Sequence, residues 1–154
     1  MINEKSISTL KDFDLVVFGA TGDLAYRKIF PALYYRLKEG QVKSKSKFVA
    51  IVRDKSAIDS FKNNLKKSLS LSINKVDSQV LDNLINRVIP IEANVEEGKY
   101  QSLINWFSKS SNKVRVYYLA TPSSVFGFIA STLQKSNLIN NESRIVLEKP
   151  LGKD

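Results

Sequence analysis

Short unbroken apolar runs alternate with longer stretches in which apolar residues recur every three or four positions. The first run, Asp14-Leu15-Val16-Val17-Phe18-Gly19, ends in glycine and reads as a strand buried on both faces. In residues 22–38, Leu24, Ile29, Phe30, Leu33 and Leu37 fall at helical spacing, and Glu39-Gly40 supplies a glycine C-cap. Pro31 lies inside this helix, removes one backbone N–H and is expected to kink it. A second apolar run, residues 48–52, ends at Arg53-Asp54, and residues 57–71 and 77–87 read as helices. Residues 88–93 are a third, weaker strand, in which Pro90 indicates an edge position or a late start. Residues 96–109 form an amphipathic helix with Leu103, Ile104 and Phe107 on one side. Residues 113–120, rich in Val and Tyr, are a fourth strand. Pro122 starts a turn, and Ser123 or Ser124 can cap a helix that runs to about residue 137. Residues 144–148 are a fifth strand, followed by Lys149-Pro150.

Strands that alternate with helices imply βαβ units. The fold class is therefore α/β: a doubly wound, mostly parallel sheet with helices on both faces. Right-handed crossovers bring the strand ends to one edge, where ligands bind in this architecture. No internal repeat or long linker divides the 154 residues, which read as one domain.

Composition narrows the chemistry. The chain has no histidine and no cysteine. Ser–His–Asp and Cys–His nucleophiles are excluded, as are an imidazole base and thiolate or imidazole ligation of zinc. No carboxylate cluster suggests a metal site. The first twelve residues lack the apolar core of a signal peptide, and no run approaches the roughly 20 residues of a membrane span. The expectation is a cytoplasmic protein without a membrane partner. The net charge of +9 is concentrated between Arg27 and Lys67, where twelve Lys/Arg face three Asp/Glu. That segment is either a solvated basic surface or the neighbourhood of a polyanionic ligand.

The candidate site begins at Gly19-Ala20-Thr21-Gly22-Asp23-Leu24-Ala25, between the first strand and the first helix. The pattern G-x-x-G-x-x-A is a variant of the dinucleotide fingerprint. Gly19 allows a tight turn, Gly22 lets the backbone approach a pyrophosphate, and Ala25 lets the helix pack close to the strand. The N–H groups of Thr21 to Leu24, with the helix dipole, attract phosphates. Asp23 is electrostatically out of place there, so its carboxylate either caps the helix or points away from the anion. At the end of the second strand, Arg53 suits a 2′-phosphate, hence NADP, while Asp54 keeps NAD open.

Residues 17–25, together with Arg27-Lys28 and Pro31-Ala32-Leu33, resemble the opening of glucose-6-phosphate 1-dehydrogenases. So do Tyr118-Leu119-Ala120-Thr121-Pro122-Ser123 and the closing Arg144-Ile145-Val146-Leu147-Glu148-Lys149-Pro150-Leu151-Gly152-Lys153-Asp154. The three blocks keep the family's order and spacing and span almost the whole chain. The resemblance implies a Rossmann-like coenzyme domain that precedes a larger β+α domain. It also implies hydride transfer from glucose 6-phosphate to NADP or NAD, giving the lactone of the pentose phosphate pathway. Carried over by motif, Gly19, Gly22, Asp23 and Leu24 fall in the phosphate loop, with Thr21 among them. Arg53 matches the residue facing the 2′-phosphate. Ala120, Thr121 and Pro122 lie beside the coenzyme, and Glu148 and Lys149 near the nicotinamide, with Lys149 also reaching the sugar.

Two departures are local. Ser123 stands where the family often has a second proline, and Glu92-Ala93-Asn94 replaces a Gly-Asp pair. The third concerns catalysis. The family's base is a histidine in an Arg-Ile-Asp-His-Tyr block beyond the Glu-Lys-Pro turn, and neither that block nor the second, dimer-forming domain is in this sequence. The expectation is a coenzyme domain that binds NADP without turnover, with homo-oligomers only where the second domain is present. A non-catalytic NADP sensor is the alternative. A nucleic-acid-binding module ranks last, because aromatic residues do not interleave with the lysines.

Overall fold

The computed structural model describes residues 11–148. Five parallel strands, β1 (Phe13–Phe18), β2 (Lys47–Val52), β3 (Val88–Glu92), β4 (Val114–Leu119) and β5 (Ser143–Leu147), form one sheet in the order β3-β2-β1-β4-β5. β1 is central, and all six of its residues are buried. Because side chains alternate across a strand, Leu15 and Val17 face one core layer and Val16 and Phe18 the other.

The first layer holds a π-helical turn (Ala25–Ile29) that continues into α1 (Phe30–Lys38), then α2 (Lys55–Ser72) and α3 (Ser78–Arg87). Phe30, Phe61 and Leu84 are among the residues that fill it. The second layer holds α4 (Gln101–Phe107) and α5 (Phe126–Lys135), whose Leu103, Phe107, Ile129 and Leu133 pack on the other face. The architecture is the expected α/β, doubly wound parallel sheet. The basic stretch 27–67 folds into the π turn, α1, β2 and α2. Among the described residues no helix is long and apolar enough to cross a membrane.

Local chemistry explains the element ends. Pro90 sits in β3, at the sheet edge, where a missing donor costs no ladder bond. Gly40, at φ +70°, closes α1: its N–H bonds Leu37 O, and the next N–H bonds Arg36 O, the paired bonds of a Schellman cap. Asp54 caps α2 by accepting from the Ala57 N–H at 3.2 Å, so this helix starts two residues before the expected 57.

Three expectations are corrected. The kink at Pro31 takes the form of the π turn: Phe30 N–H bonds Ala25 O, five residues back, and Pro31 falls in the first turn of α1. The wider turn makes room for a ring that would clash with a carbonyl four residues back in an α-helix. The helix over 96–109 is shorter, because Gly98 adopts φ +65°, outside helical geometry, and a bridge between Asn94 and Lys99 folds 94–99 into a separate loop. Neither Ser123 nor Ser124 caps a helix. Pro122 leads directly into a 3₁₀ turn (Ser123–Val125), closed by Val125 N–H to Pro122 O.

At the N-terminal edge of the sheet, Asp14 is inaccessible to solvent and accepts from Ser110 Oγ at 2.6 Å and Asn112 Nδ2 at 2.8 Å. Burial raises its pKa, and the two hydrogen bonds oppose that rise. This clamp ties β1 to the turn before β4, on the edge away from the site.

Candidate functional site

From β1 the chain crosses first to β2 on one side and later returns to β4 on the other. The crevice between the C-terminal ends of β1 and β4 is therefore the topological switch point, where open α/β sheets place ligands. Gly19 sits there at φ +78°, a conformation that L side chains rarely adopt. A Cβ on Gly19 would lie 2.7 Å from the Ala120 carbonyl oxygen and 2.9 Å from its carbon. Ala120 N–H in turn donates to Phe18 O at 2.9 Å. The glycine turn and the end of β4 thus touch backbone to backbone.

Gly22 N–H closes the turn onto Gly19 O at 3.0 Å, and Tyr26 N–H reaches Gly22 O at 3.2 Å. Helix geometry leaves the first N–H groups beyond Gly22 without intrahelical partners, and they carry the positive end of the dipole. Ala25 is fully buried against the sheet, as its small size requires. Asp23 supplies no cap; it pairs with Arg27 at 3.0 Å on the exposed helix surface. The expected alternative of a cap is therefore not realised. Thr121 Oγ1 is buried beside this crevice without a hydrogen-bond partner. A tight glycine cradle, open helix N–H groups and an unsatisfied hydroxyl fit a pyrophosphate-bearing ligand.

The flanking residues lie at neighbouring strand ends on the same edge. Arg53 follows β2, and its Nη2 is 2.6 Å from Glu96 Oε2. Asp54 is committed to capping; the Ser56 hydroxyl and Ala57 N–H hold its pKa down. Glu148 follows β5, with its side chain only 18% exposed. It accepts from Tyr118 Oη at 3.2 Å and lies 3.8 Å from Lys28 Nζ. Burial, reinforced by the carboxylate, pushes the Tyr118 phenol up to about 12. Lys149 and Pro150 lie outside the described residues.

Gly19, Gly22, Ala120 and Thr121 therefore form one contiguous group, with Pro122 exposed at its rim. Arg53 and Glu148 stand on either side, three strand intervals or about 14 Å apart along the edge. A groove of about 520 Å³ opens next to the loop, lined by Thr21, Asp23, Tyr26, Arg27, Phe61 and Asn64 among others. Sequence reasoning missed two contacts, Glu96 with Arg53 and Tyr118 with Glu148. The second had a signal: β4 and β5 run in register with Tyr118 opposite Val146, so Glu148, two residues on, shares its face.

A family model described as "Glucose-6-phosphate dehydrogenase, NAD binding domain" matches residues 16–154. The glucose-6-phosphate 1-dehydrogenase of Mycolicibacterium smegmatis is 32% identical over 148 residues, covering 92% of this chain and 30% of its own length. That of Buchnera aphidicola subsp. Schizaphis graminum is 33% identical over 148 residues, covering 95% and 30%. The crystal structure of glucose-6-phosphate 1-dehydrogenase from Mycobacterium avium superposes with a TM-score of 0.77 at 26% identity, over 92% of this chain and 31% of that one. The chain thus spans about a third of the length of the curated relatives it matches. The matched span includes the glycine turn and the end of β4, and on this ground the chain belongs to the glucose-6-phosphate dehydrogenase NAD-binding domain family, whose coenzyme is a nicotinamide dinucleotide.

Proposed function

We propose that residues 1–154 act as the coenzyme domain of a glucose-6-phosphate dehydrogenase that uses NADP. The observation that carries this is the contact of Gly19 with the Ala120 carbonyl at the switch point, beside the unpartnered Thr121 hydroxyl. In this proposal the N–H groups of Thr21 to Leu24 hold the pyrophosphate, with Gly19 and Gly22 admitting it to the backbone. The Asp23 carboxylate stays on Arg27, away from the anion. Arg53 takes the 2′-phosphate. Asp54 is already engaged as a cap, and the Arg53 guanidinium at the end of β2 is held only by a solvent-exposed pair with Glu96. Ala120, Thr121 and Pro122 wall the crevice. Glu148, braced by Tyr118 and Lys28, stands at the nicotinamide end, and Lys149 takes the coenzyme and sugar contact that its motif implies.

A bound nicotinamide supplies the hydride acceptor. Oxidising the anomeric carbon of glucose 6-phosphate also requires a base for the hydroxyl proton. The family's base is a histidine, and this chain has none. Assayed alone, the chain binds coenzyme and does not turn over.

Thermal unfolding with NADP or NAD, on wild type and Arg53→Ala, tests the proposal. Saturating coenzyme at about 100-fold over Kd adds about 2.7 kcal/mol, or roughly 5–10 °C for a domain of this size. NADP is expected to stabilise more than NAD, and Arg53→Ala to abolish the difference. No shift with either coenzyme overturns the proposal. Equal shifts that the substitution leaves unchanged remove Arg53 from the 2′-phosphate. Oxidation of glucose 6-phosphate by this chain alone overturns the statement on turnover.

A further inference from the structure

The loop that follows β3 is built rather than slack. Asn94 and Lys99 exchange backbone hydrogen bonds at 3.2 and 3.0 Å, and Asn94 Oδ1 accepts from the Glu97 N–H at 3.2 Å. Gly98, at φ +65°, lies so close to α5 that a Cβ there would come within 2.6 Å of Thr132 Cγ2. Tyr100 and Thr132 then share a hydroxyl hydrogen bond at 2.7 Å. Ala93 N–H bonds Val52 O at 3.0 Å, which holds this loop beside the end of β2. The loop carries two adjacent acids. Glu97 pairs with Lys99 at 2.9 Å, whereas Glu96 crosses to Arg53.

We propose that Glu96 is a specificity-determining residue: it is the resident counter-ion of Arg53, displaced by a coenzyme that carries a 2′-phosphate and left in place by one that does not. The inference rests on the assignment of Arg53 to the 2′-phosphate made above. A guanidinium offers one planar fork, for which a carboxylate and a phosphate compete. The Arg53–Glu96 pair is 80% and 71% exposed, so it is weakly held and screened by salt, and a phosphate dianion displaces it. Once displaced, the Glu96 carboxylate remains close to the incoming anion because the loop is anchored on α5. Binding of NADP therefore carries a penalty that binding of NAD does not, and the chain's preference for NADP is held below what Arg53 alone would give.

The test is calorimetric titration of NADP and of NAD into wild type, Glu96→Gln, Arg53→Ala and the double variant, at low and high salt. Glu96→Gln is expected to tighten NADP about three- to fivefold, within the range of an exposed charge pair, and to leave NAD unchanged. The gain should disappear in the Arg53→Ala background and shrink at high salt. Glu96→Ala should give the same pattern, which guards against an effect peculiar to glutamine. Weaker NADP binding in Glu96→Gln means that Glu96 pre-orients Arg53, and it overturns the proposal. An equal change for both coenzymes, or none for either, overturns it too. In those cases the role of Arg53 stands if Arg53→Ala still removes the preference for NADP. If Arg53→Ala leaves that preference intact, both the assignment of Arg53 and the inference built on it fail.

Discussion

Replacing Gly19 with alanine separates two costs that coincide at one atom. The first is conformational: an alanine held at φ +78° loses about 1–2 kcal/mol relative to glycine. The second is steric. The new methyl would meet the Ala120 carbonyl at 2.7 and 2.9 Å, and that backbone is itself fixed by its bond to Phe18, so it cannot swing away like a side chain. Forced overlap of this kind costs about 1–3 kcal/mol. The total, about 2–5 kcal/mol, is a large part of the roughly 5–15 kcal/mol that stabilises a domain. Urea titration measures it. With a slope of about 2 kcal/mol per molar, the midpoint should fall by roughly 1–2.5 M, and the stabilisation by coenzyme should vanish. Gly40 is an internal control, because its φ of +70° is similar and a Cβ there would meet nothing within 4 Å. Gly40→Ala should lose only the conformational part, about 1–2 kcal/mol. If Gly19→Ala proves no less stable than Gly40→Ala and keeps its response to coenzyme, β1 and β4 do not meet tightly at the switch point, and the reasoning fails.

Other outcomes follow from the core and from Tyr118. Phe61 is buried at ring-centroid distances of 5.9 Å from Phe30 and 6.1 Å from Tyr26. Phe61→Ala should cost about 3–5 kcal/mol and lower the melting temperature by roughly 6–20 °C; a loss under about 1 kcal/mol would show that this cluster is not closely packed. Tyr118, with its phenol raised to about 12, keeps its proton in the fold at pH values where an unfolded tyrosine, near 10, has lost it. Its contribution is therefore intact below pH 10 and withdrawn as pH rises from 10 to about 12. Wild type should lose more stability than Tyr118→Phe across that window, and identical pH profiles for the two chains would refute the assignment.

Much of the fold is legible locally. Each strand announces itself as an apolar run, and each main helix as a 3.6-residue period. Gly19, Gly40 and Pro90 occupy the special backbone positions that their chemistry suggests. The misreadings lie where a local signal was outvoted. The amphipathic pattern after residue 96 conceals a loop break at Gly98, because apolar spacing does not register a positive φ. Pro31 indicated disturbance, but whether that becomes a bend or a π turn depends on packing of the turn against β1 and α2, through Ala25 and the contact of Tyr26 with Phe61.

By itself the sequence determined the alternation of strand and helix, the parallel class, the glycine turn at the first βα junction and that these 154 residues carry no imidazole or thiol. All of these follow from periods and residue types that act within a few positions. Only the tertiary structure decided that β4 lies against β1 on the side opposite β2, and so that Ala120 closes on Gly19. It likewise decided that Arg53 meets Glu96, that Glu148 is braced by Tyr118 and Lys28, and that Asp14 is held by Ser110 from 96 residues away. These pairings are set by crossover direction and sheet register, which place side chains together across the fold without leaving any mark on their neighbours in the chain.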